Sequence, residues 1–147
     1  MKSILSDVRV LAVIPEQMRP ELLRQLAPLK VTVVCADRAL EIARLISQGA
    51  VCHVALLPAA SSHAEWWALW GELCLIDPRP EILVYAEANS FQLWTGVLDM
   101  GGFDVIVQPF SDAEIQDAVL RAVQCFKERR KRVRSGGQKT RPRASSQ

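Results

Sequence analysis

Five short hydrophobic runs, each rich in β-branched residues, recur along the chain at intervals of 21 to 30 residues. They read VRVLAV, VTVVC, HVALL, EILVY and DVIV, and they begin near Val8, Val31, Cys52, Ile82 and Asp104. Nearly every residue in them is apolar, which is typical of strands covered by helices on both faces. Longer stretches of helical periodicity separate the runs. The alternation predicts a (βα)5 domain of the α/β class, built on a parallel five-stranded sheet.

Parallel strands joined by right-handed crossovers most often take the order 2-1-3-4-5 in a doubly wound sheet of five. In such a sheet, ligands bind at the carboxyl ends of strands 1 and 3. Those ends are Ile14-Pro15-Glu16 and Pro58-Ala59-Ala60. We therefore expect the functional region there. The two strand ends themselves are expected to meet at an apolar patch free of acids, with Glu16 as the one carboxylate that remains after strand 1.

Capping residues predict where several helices begin. Ser62 with Glu65, and Ser111 with Glu114, have the S-x-x-E spacing of a capping box, and Asp37 is placed to cap the second helix. The apolar residues expected to face the core are Leu40, Ala43 and Ile46 in helix 2, Trp66, Leu69, Trp70, Leu73 and Cys74 in helix 3, and Ile115, Ala118, Val119, Ala122, Val123 and Phe126 in helix 5.

The net charge of +2 conceals two opposed segments. Residues 1–126 hold nine basic and fifteen acidic side chains, a sum of −6, whereas residues 127–147 hold nine basic side chains and only Glu128, a sum of +8. From Ser135 onward the chain is rich in Gly, Ser, Pro and Arg and has no apolar periodicity, so it cannot bury enough surface to offset ordering entropy. We predict a folded domain over residues 1–130 and a basic, disordered tail over residues 131–147.

The residues that most often carry metal or redox chemistry show no suitable pattern. The four cysteines, none in a CxxC pair, are Cys35, Cys52, Cys74 and Cys125. They are interpreted as buried reduced thiols, and His53 and His63 as surface or capping residues, because neither histidine has a partner at metal-ligand spacing. We predict no metal site, cofactor, catalytic residue or enzymatic activity.

No apolar run is long enough to span a bilayer, so we expect a soluble, cytoplasmic protein.

Two segments carry a family pattern: VRVLAVIPEQMRPELLRQLA, from Val8, and MGGFDVIVQPFSDAEIQDAVLRAV, from Met100. The second places Gly101 before a strand, Pro109 with Phe110 at a turn, and a serine cap after it. Over residues 8–126 the chain resembles the receiver domain of bacterial response regulators, whose CheY-like fold is flavodoxin-like. The resemblance implies a role in two-component or phosphorelay signal transduction and a cis Gln108–Pro109 bond.

Receiver domains of this kind accept a phosphoryl group from a histidine kinase on an Asp at the end of strand 3, beside a magnesium ion held by an acidic pair after strand 1. In the register of the resemblance, the acidic pair falls on Ile14 and Pro15, the phosphoacceptor on Pro58, the Thr or Ser on Ala86, and the Lys on Gln108. Glu16 stands where many receivers have a third acid, and Val105 where the family's switch has an aromatic residue. The resemblance thus implies a pseudo-receiver, with no phosphoacceptor and a degenerate pocket formed by Ile14, Pro15, Glu16, Pro58, Ala86 and Gln108.

Helix 4 carries more apolar residues than one core stripe needs: Phe91, Leu93, Trp94, Val97, Leu98 and Met100. In the family that the chain resembles, the face of helix 4, strand 5 and helix 5 binds partners or a second copy. The candidate interface is Phe91, Trp94, Val97 and Val105, and the alternative is a wide core stripe. Trp66 and Trp70 are interpreted as core residues, and Trp67 as lying at the edge of the core or reaching solvent.

The leading interpretation is a phosphorylation-independent protein–protein interaction module in bacterial signal transduction, whose partner is a signalling protein or a second copy. The alternative is a regulator that contacts DNA or RNA through the basic segment from Lys127 to Arg143, without sequence preference because no aromatic residue follows Phe126. A third hypothesis is entry into a phosphorelay through Glu16. A flavodoxin-like electron carrier is disfavoured because no hydroxyl-rich phosphate loop follows strand 1.

Overall fold

The structure, a computed structural model, describes residues 7–49, 51–59 and 63–136. Its strands are β1 (Arg9–Val13), β2 (Thr32–Ala36), β3 (Val54–Pro58), β4 (Glu81–Ala86) and β5 (Asp104–Val107). They form one parallel sheet in the order β2-β1-β3-β4-β5. The predicted fold class and strand order are confirmed.

A helix follows each strand. The helices are α1 (Arg19–Leu26), α2 (Ala39–Ser47), α3 (His63–Cys74), α4 (Phe91–Asp99) and α5 (Asp112–Gly136). Short 3-10 turns, Glu16–Met18 and Ala27–Leu29, flank α1. The capping box of α5 is confirmed, because Ser111 Oγ accepts from Glu114 N at 3.1 Å while Glu114 Oε1 accepts from Ser111 N at 2.8 Å. Ser62, which belongs to the other predicted box, lies outside the described residues.

Two apolar layers cover the two faces of the sheet. Along β1, Val10 and Ala12 belong to the layer formed with α1 and α5, whereas Leu11 and Val13 belong to the layer formed with α2, α3 and α4. Nearly every residue of the inner strands β1, β3 and β4 is therefore buried whichever way its side chain points, whereas the edge strands β2 and β5 are partly exposed. This double burial is the physical reason for the continuous hydrophobic runs in the sequence.

The prediction of the core face of α2 is right for Ile46, which packs against the core, and wrong for Leu40. Leu40 is 65% exposed, and Ile42 occupies the buried position instead. Asp37 does not cap the helix: the N-cap residue is Arg38, which makes no side-chain capping bond, and Asp37 N donates to Glu41 Oε1 at 2.7 Å. At about 100° per residue, Leu40 lies about 200° around the helix from the buried Ile42, so it faces away from the sheet.

The cysteines do not all lie in the core. All four thiols are free, but Cys74 is exposed, Cys35 and Cys125 are partly buried, and only Cys52 among them is fully buried. Leu69, Trp70 and Leu73 of α3 are buried as predicted, and Cys74 lies one residue past this stripe at the end of the helix. The prediction that Cys74 is buried is therefore wrong.

The C-terminal half of α5 is anchored to the start of β4. Arg129 Nε donates to Glu81 Oε2 at 2.7 Å and its Nη2 donates to the Arg79 carbonyl at 2.6 Å. The Cys125 thiol also donates to Glu81 Oε2, at 3.2 Å.

Helix α5 continues to Gly136, so the predicted boundary at residue 130 falls inside it. Residues 137–147 of the predicted tail lie outside the described residues. None of the helices in the described part combines the length and hydropathy needed to cross a bilayer.

Candidate functional site

The chain leaves β1 along an apolar path. Ile14 is buried in the layer formed with α1 and α5, and its N–H donates to the Ala36 carbonyl of β2 at 3.1 Å. Pro15 is exposed, and its carbonyl accepts from Met18 N at 3.0 Å, which closes the 3-10 turn that leads into α1. Glu16 lies in this turn with an exposed side chain.

The other predicted pocket residues lie at the carboxyl ends of β3, β4 and β5. Pro58 is the last residue of β3, is partly buried, and is in register with Tyr85. Ala86 ends β4 and is buried, and its carbonyl accepts from Gln108 N at 2.7 Å. The Gln108–Pro109 bond is cis, as the family resemblance implies.

A cavity of about 270 Å³ opens between the start of α1 and the turn from β5 to α5. Its apolar lining residues are Ile14, Met18, Leu22, Leu56, Pro109 and Phe110, and its polar ones are Gln17, Glu21, Gln25 and Gln108. Of the predicted pocket residues, the structure thus places Ile14 and Gln108 on this cavity. Pro15, Glu16, Pro58 and Ala86 do not line it, and Glu21 brings a carboxylate to a region that the sequence predicted to be free of acids.

Sequence reasoning missed Gln25, which is only 3% exposed although it is polar. Its side-chain Nε2 donates to the Phe110 carbonyl at 3.1 Å, and the backbone carbonyl of Gln25 accepts from Gln116 Nε2 at 2.8 Å. These bonds attach α1 to the turn before α5 and to α5 itself. The signal in the sequence is a polar residue within the core stripe of Leu22 and Leu26.

Tyr85 was also missed. Its Oη donates to the Val13 carbonyl at 2.9 Å and so pairs a backbone acceptor at the end of β1. Burial raises the pKa of the Tyr85 hydroxyl to about 12. The neutral phenol therefore holds the end of β1 to β4 across the intervening strand β3.

An exposed ionic cluster lies beside the cavity. The Arg24 guanidinium donates to Glu21 at 2.9 and 2.7 Å, and to Asp112 at 3.1 and 2.9 Å. Hydrogen bonding by Arg24 lowers the pKa of both carboxyl groups. The one carboxylate that lines the cavity is thus already paired with a cation from its own helix.

These residues do not fit the magnesium ion that receiver domains use. A magnesium ion requires about six oxygen ligands in near-ideal octahedral geometry. Ile14, Pro15 and Pro58 provide no side-chain oxygen, the Glu16 side chain points to solvent, and Glu21 is paired with Arg24. No cluster of three or more His, Cys, Asp or Glu side chains suited to a metal occurs in residues 7–49, 51–59 and 63–136.

The predicted interface separates into exposed and buried residues. Phe91 is 76% exposed and Trp94 is 40% exposed, with ring centroids 6.5 Å apart on α4. Val97, which is 2% exposed, and Val105, which is also buried, belong to the core and cannot line a surface of this fold. Two further apolar residues are exposed: Leu98, which lies on α4, and Val107, which lies on the edge strand β5.

His53 does not lie at the crevice. His53 is partly buried at the opposite, amino-terminal end of β3, where its Nδ1 accepts from Arg9 N at 3.2 Å. Its ring lies 4.7 Å from that of Phe126, and burial lowers its pKa. The His63 side chain lies outside the described residues.

Comparison with known proteins relates this architecture to solved structures. No family model matches the chain, and no curated protein matches it. A response regulator from Thermotoga maritima superposes with a TM-score of 0.70 at 13% identity, covering 80% of this chain and 98% of the other. The signal receiver domain of an HD domain-containing protein from Pseudomonas fluorescens gives 0.68 at 16% identity, covering 83% and 98%. A pilus assembly-related protein from Burkholderia pseudomallei gives 0.70 at 20% identity, covering 84% and 95%.

The fold is therefore that of a doubly wound, CheY-like (βα)5 protein. The solved structures that share it include response-regulator receiver domains, and they match it over nearly their whole length.

Proposed function

We propose that this chain is a pseudo-receiver, a receiver-type module of two-component signalling that binds a protein partner without being phosphorylated. The observation that carries the proposal is the crevice at the carboxyl ends of β1 and β3. There, hydrocarbon side chains stand at the positions that the receiver chemistry requires to be acidic. Phosphoryl transfer to a carboxylate needs a nucleophilic oxygen and a counter-charge, and Pro58 and Gln108 provide neither.

The contacts around the crevice support a single resting conformation. Tyr85 pairs the Val13 carbonyl, Gln25 holds the turn at Phe110, and Gln108 N pairs the Ala86 carbonyl. Each of these bonds is made by a neutral group, so none of them depends on a bound ion or a modified side chain. A module held in this way presents its surface constitutively.

The surface of α4 supports a protein partner. Phe91 and Trp94 are large aromatic side chains that remain exposed on α4. Leu98, on the same helix, and Val107, on the strand β5 that α4 contacts, are exposed apolar residues as well. Aromatic residues dominate binding energy at protein interfaces. These four residues, Phe91, Trp94, Leu98 and Val107, form the α4 surface.

A capture experiment with matched baits tests the proposal. The full chain, the double variant Phe91→Ala/Trp94→Ala, and Leu40→Ala are each used to capture proteins from a native bacterial lysate. Leu40 is the control because it is an apolar helix residue of comparable exposure, on α2. We expect a signalling protein that the wild type and Leu40→Ala retain and the double variant loses. Equal capture by all three baits, or dependence of capture on acetyl phosphate, would contradict the proposal.

A second candidate function rests on the length of α5. The helix carries Lys127, Arg129, Arg130, Lys131 and Arg132 beyond the last core residue, Phe126, and the bonds from Arg129 to Glu81 and Arg79 anchor it. A basic helix projecting from a domain can contact nucleic acid phosphates with release of counterions. This second proposal is that α5 binds DNA or RNA without sequence preference.

Mobility shift with random-sequence DNA and RNA tests the second candidate. The full chain is compared with a variant in which Arg130, Lys131 and Arg132 are changed to Gln, while Arg129 is kept because it is part of the anchor. We expect the wild type alone to bind, with an affinity that falls steeply with salt. Equal binding by the two proteins would show that residues other than Arg130, Lys131 and Arg132 contact the nucleic acid, and would contradict this second proposal.

A further inference from the structure

His53 joins several parts of the fold at the amino-terminal end of the sheet. It lies directly before β3, its backbone N–H donates to the Arg9 carbonyl at 2.9 Å, and its side-chain Nδ1 accepts from Arg9 N at 3.2 Å. The carbonyl of His53 accepts from Glu81 N, at the start of β4, at 3.0 Å. The His53 ring lies 4.7 Å from the ring of Phe126, which is buried on α5. His53 therefore contacts β1, β4 and α5 at once.

The bond from Arg9 N fixes the protonation state of the His53 ring. A backbone N–H can only donate, so Nδ1 must carry a lone pair and the proton of the neutral ring is on Nε2. A proton on Nδ1 would face the Arg9 N–H and break this bond. The side chain of His53 can therefore hold the start of β1 only while it is neutral.

The charged side chains around His53 are mostly positive. Arg9 lies on β1, Lys127 and Arg130 lie on α5, and Asp7 precedes β1 with its Oδ1 4.0 Å from Lys127 Nζ. Burial is the main reason that the pKa of His53 is lowered; Asp7 acts in the opposite direction, and the three cations add to the lowering. A proton on His53 thus meets desolvation and more like charges than opposite ones.

Glu81, at the start of β4, already has its charge balanced. Its Oε2 accepts from Arg129 Nε at 2.7 Å and from the Cys125 thiol at 3.2 Å. The Arg129 guanidinium also lies 5.3 Å from the centroid of the Phe126 ring, the ring that His53 contacts. A charge on His53 would therefore be added beside a helix segment that is already cationic.

We propose that protonation of His53 breaks its bond to Arg9 and loosens the second half of α5 from the amino-terminal end of the sheet. Near neutral pH, the uncharged ring accepts from β1 and packs on Phe126. In mild acid, the charged ring loses this bond and repels Lys127 and Arg130. This switch goes beyond the proposed function, because it lies at the end of the sheet opposite the crevice and involves none of the α4 surface.

The direction of the pH dependence follows from the pKa of His53. The fold lowers this pKa below the ordinary value of 6.5, so the stability that comes from the neutral ring is fully present above pH 6.5. That stability is lost as pH falls from 6.5 toward the pKa of the folded state. The ratio of loosened to packed α5 is expected to rise about tenfold for each pH unit that separates the two pKa values.

The experiment is an NMR titration of the full-length chain between about pH 8 and about pH 5, the range in which histidine changes charge. We expect the His53 ring to titrate with a midpoint below 6.5, and the Arg9 amide to shift with the same midpoint. Amides of α5 from Phe126 to Arg132 should shift with it, and their hydrogen exchange, corrected for intrinsic rates, should become faster in acid. Amides of α4 are the internal control and should not follow this midpoint.

Replacing the ring by a group that does not titrate near neutral pH tests the mechanism. In His53→Asn, the side-chain oxygen can stand near the Nδ1 position and accept from Arg9 N at every pH of the titration. We expect this variant to abolish the pH dependence of the Arg9 and α5 amides. His63→Asn is the matched control, because His63 is the other histidine of the chain, and it should leave the titration unchanged.

Two surface variants test the switch even if His53→Asn does not fold. Lys127→Gln is expected to raise the pKa of His53 and Asp7→Asn to lower it, and the midpoints of the Arg9 and α5 amides should move with it. Three results would overturn the proposal: a His53 midpoint at or above 6.5 in the wild type, Arg9 and α5 amides that do not follow the His53 titration, or equal pH dependence in His53→Asn and the wild type.

Discussion

The hydroxyl of Tyr85 on β4 donates a hydrogen bond to the carbonyl of Val13 on β1 at 2.9 Å, across the intervening strand β3. The bond pairs an acceptor at the end of β1, in the crevice where receiver domains place their acidic residues. Tyr85 is the only tyrosine of the chain, so its ionisation can be followed without interference.

We expect the alkaline titration of tyrosinate absorbance to have its midpoint at about 12 in the folded protein, since burial raises this pKa. In urea the midpoint falls to about 10. The stability that comes from this shift is fully present below the unfolded pKa and is lost as pH rises between the two values. A folded-state midpoint near 10 would show that the hydroxyl is exposed to water.

Replacing the hydroxyl tests the same bond energetically. Tyr85→Phe is expected to lower the free energy of unfolding by about 1 to 2 kcal/mol, because it leaves the Val13 carbonyl without its donor. Urea denaturation at pH 7 measures the change. No loss of stability would mean that another donor, such as water, replaces the hydroxyl.

The bond between Arg129 and Glu81 predicts a second stability effect. Glu81 is buried, whereas the Arg129 side chain is partly exposed, so Glu81→Gln is expected to cost about 1 to 3 kcal/mol, less than a fully buried pair would lose. Asp117→Asn is the matched control, because the Arg121–Asp117 pair has a similar distance of 2.8 Å but lies on the surface. Urea denaturation of both variants should show a clear loss only for Glu81→Gln.

Thiol reactivity distinguishes the cysteines. Cys74 is exposed, whereas Cys52 is buried and burial raises its pKa, which lowers the thiolate fraction. We expect a disulfide reagent such as Ellman's to label Cys74 first in the native protein and Cys52 only after unfolding. Cys74→Ser should remove the fast phase, and a fast phase that persists in this variant would contradict the exposure assigned to Cys74.

Phosphorylation is expected to fail even when a carboxylate is restored. Pro58→Asp returns an oxygen nucleophile to the end of β3, but Ile14, Pro15 and Gln108 still provide no metal ligand and no cation. Incubation of wild type and Pro58→Asp with acetyl phosphate and magnesium should leave both masses unchanged. A gain of one phosphoryl group by the wild type would refute the pseudo-receiver proposal, and a gain by the variant alone would show that metal binding survives.

Much of the fold was predictable because strands covered on both faces and amphipathic helices leave local periodicities. The box of Ser111 and Glu114 was read correctly because its two bonds join residues three apart. The errors at Leu40, Asp37 and Cys74 arose at helix ends, where one residue of phase decides whether a side chain points inward. Val97 was predicted to lie on a surface because the apolar excess of helix 4 does not say which residues are in excess, and Val105 because the family resemblance places strand 5 on the interface face; both are buried.

The sequence by itself determined the class of fold and the absence of acidic side chains at Ile14, Pro15 and Pro58, because both follow from residue identity and short-range pattern. Only the tertiary structure decided that Gln25 meets Phe110, 85 residues away, and that Tyr85 meets Val13, 72 residues away. Side-chain hydrogen bonds depend on ångström-scale distances between segments that helix and sheet packing bring together, and no local pattern records those distances. The cavity and these two hydrogen bonds are therefore properties of the packed molecule.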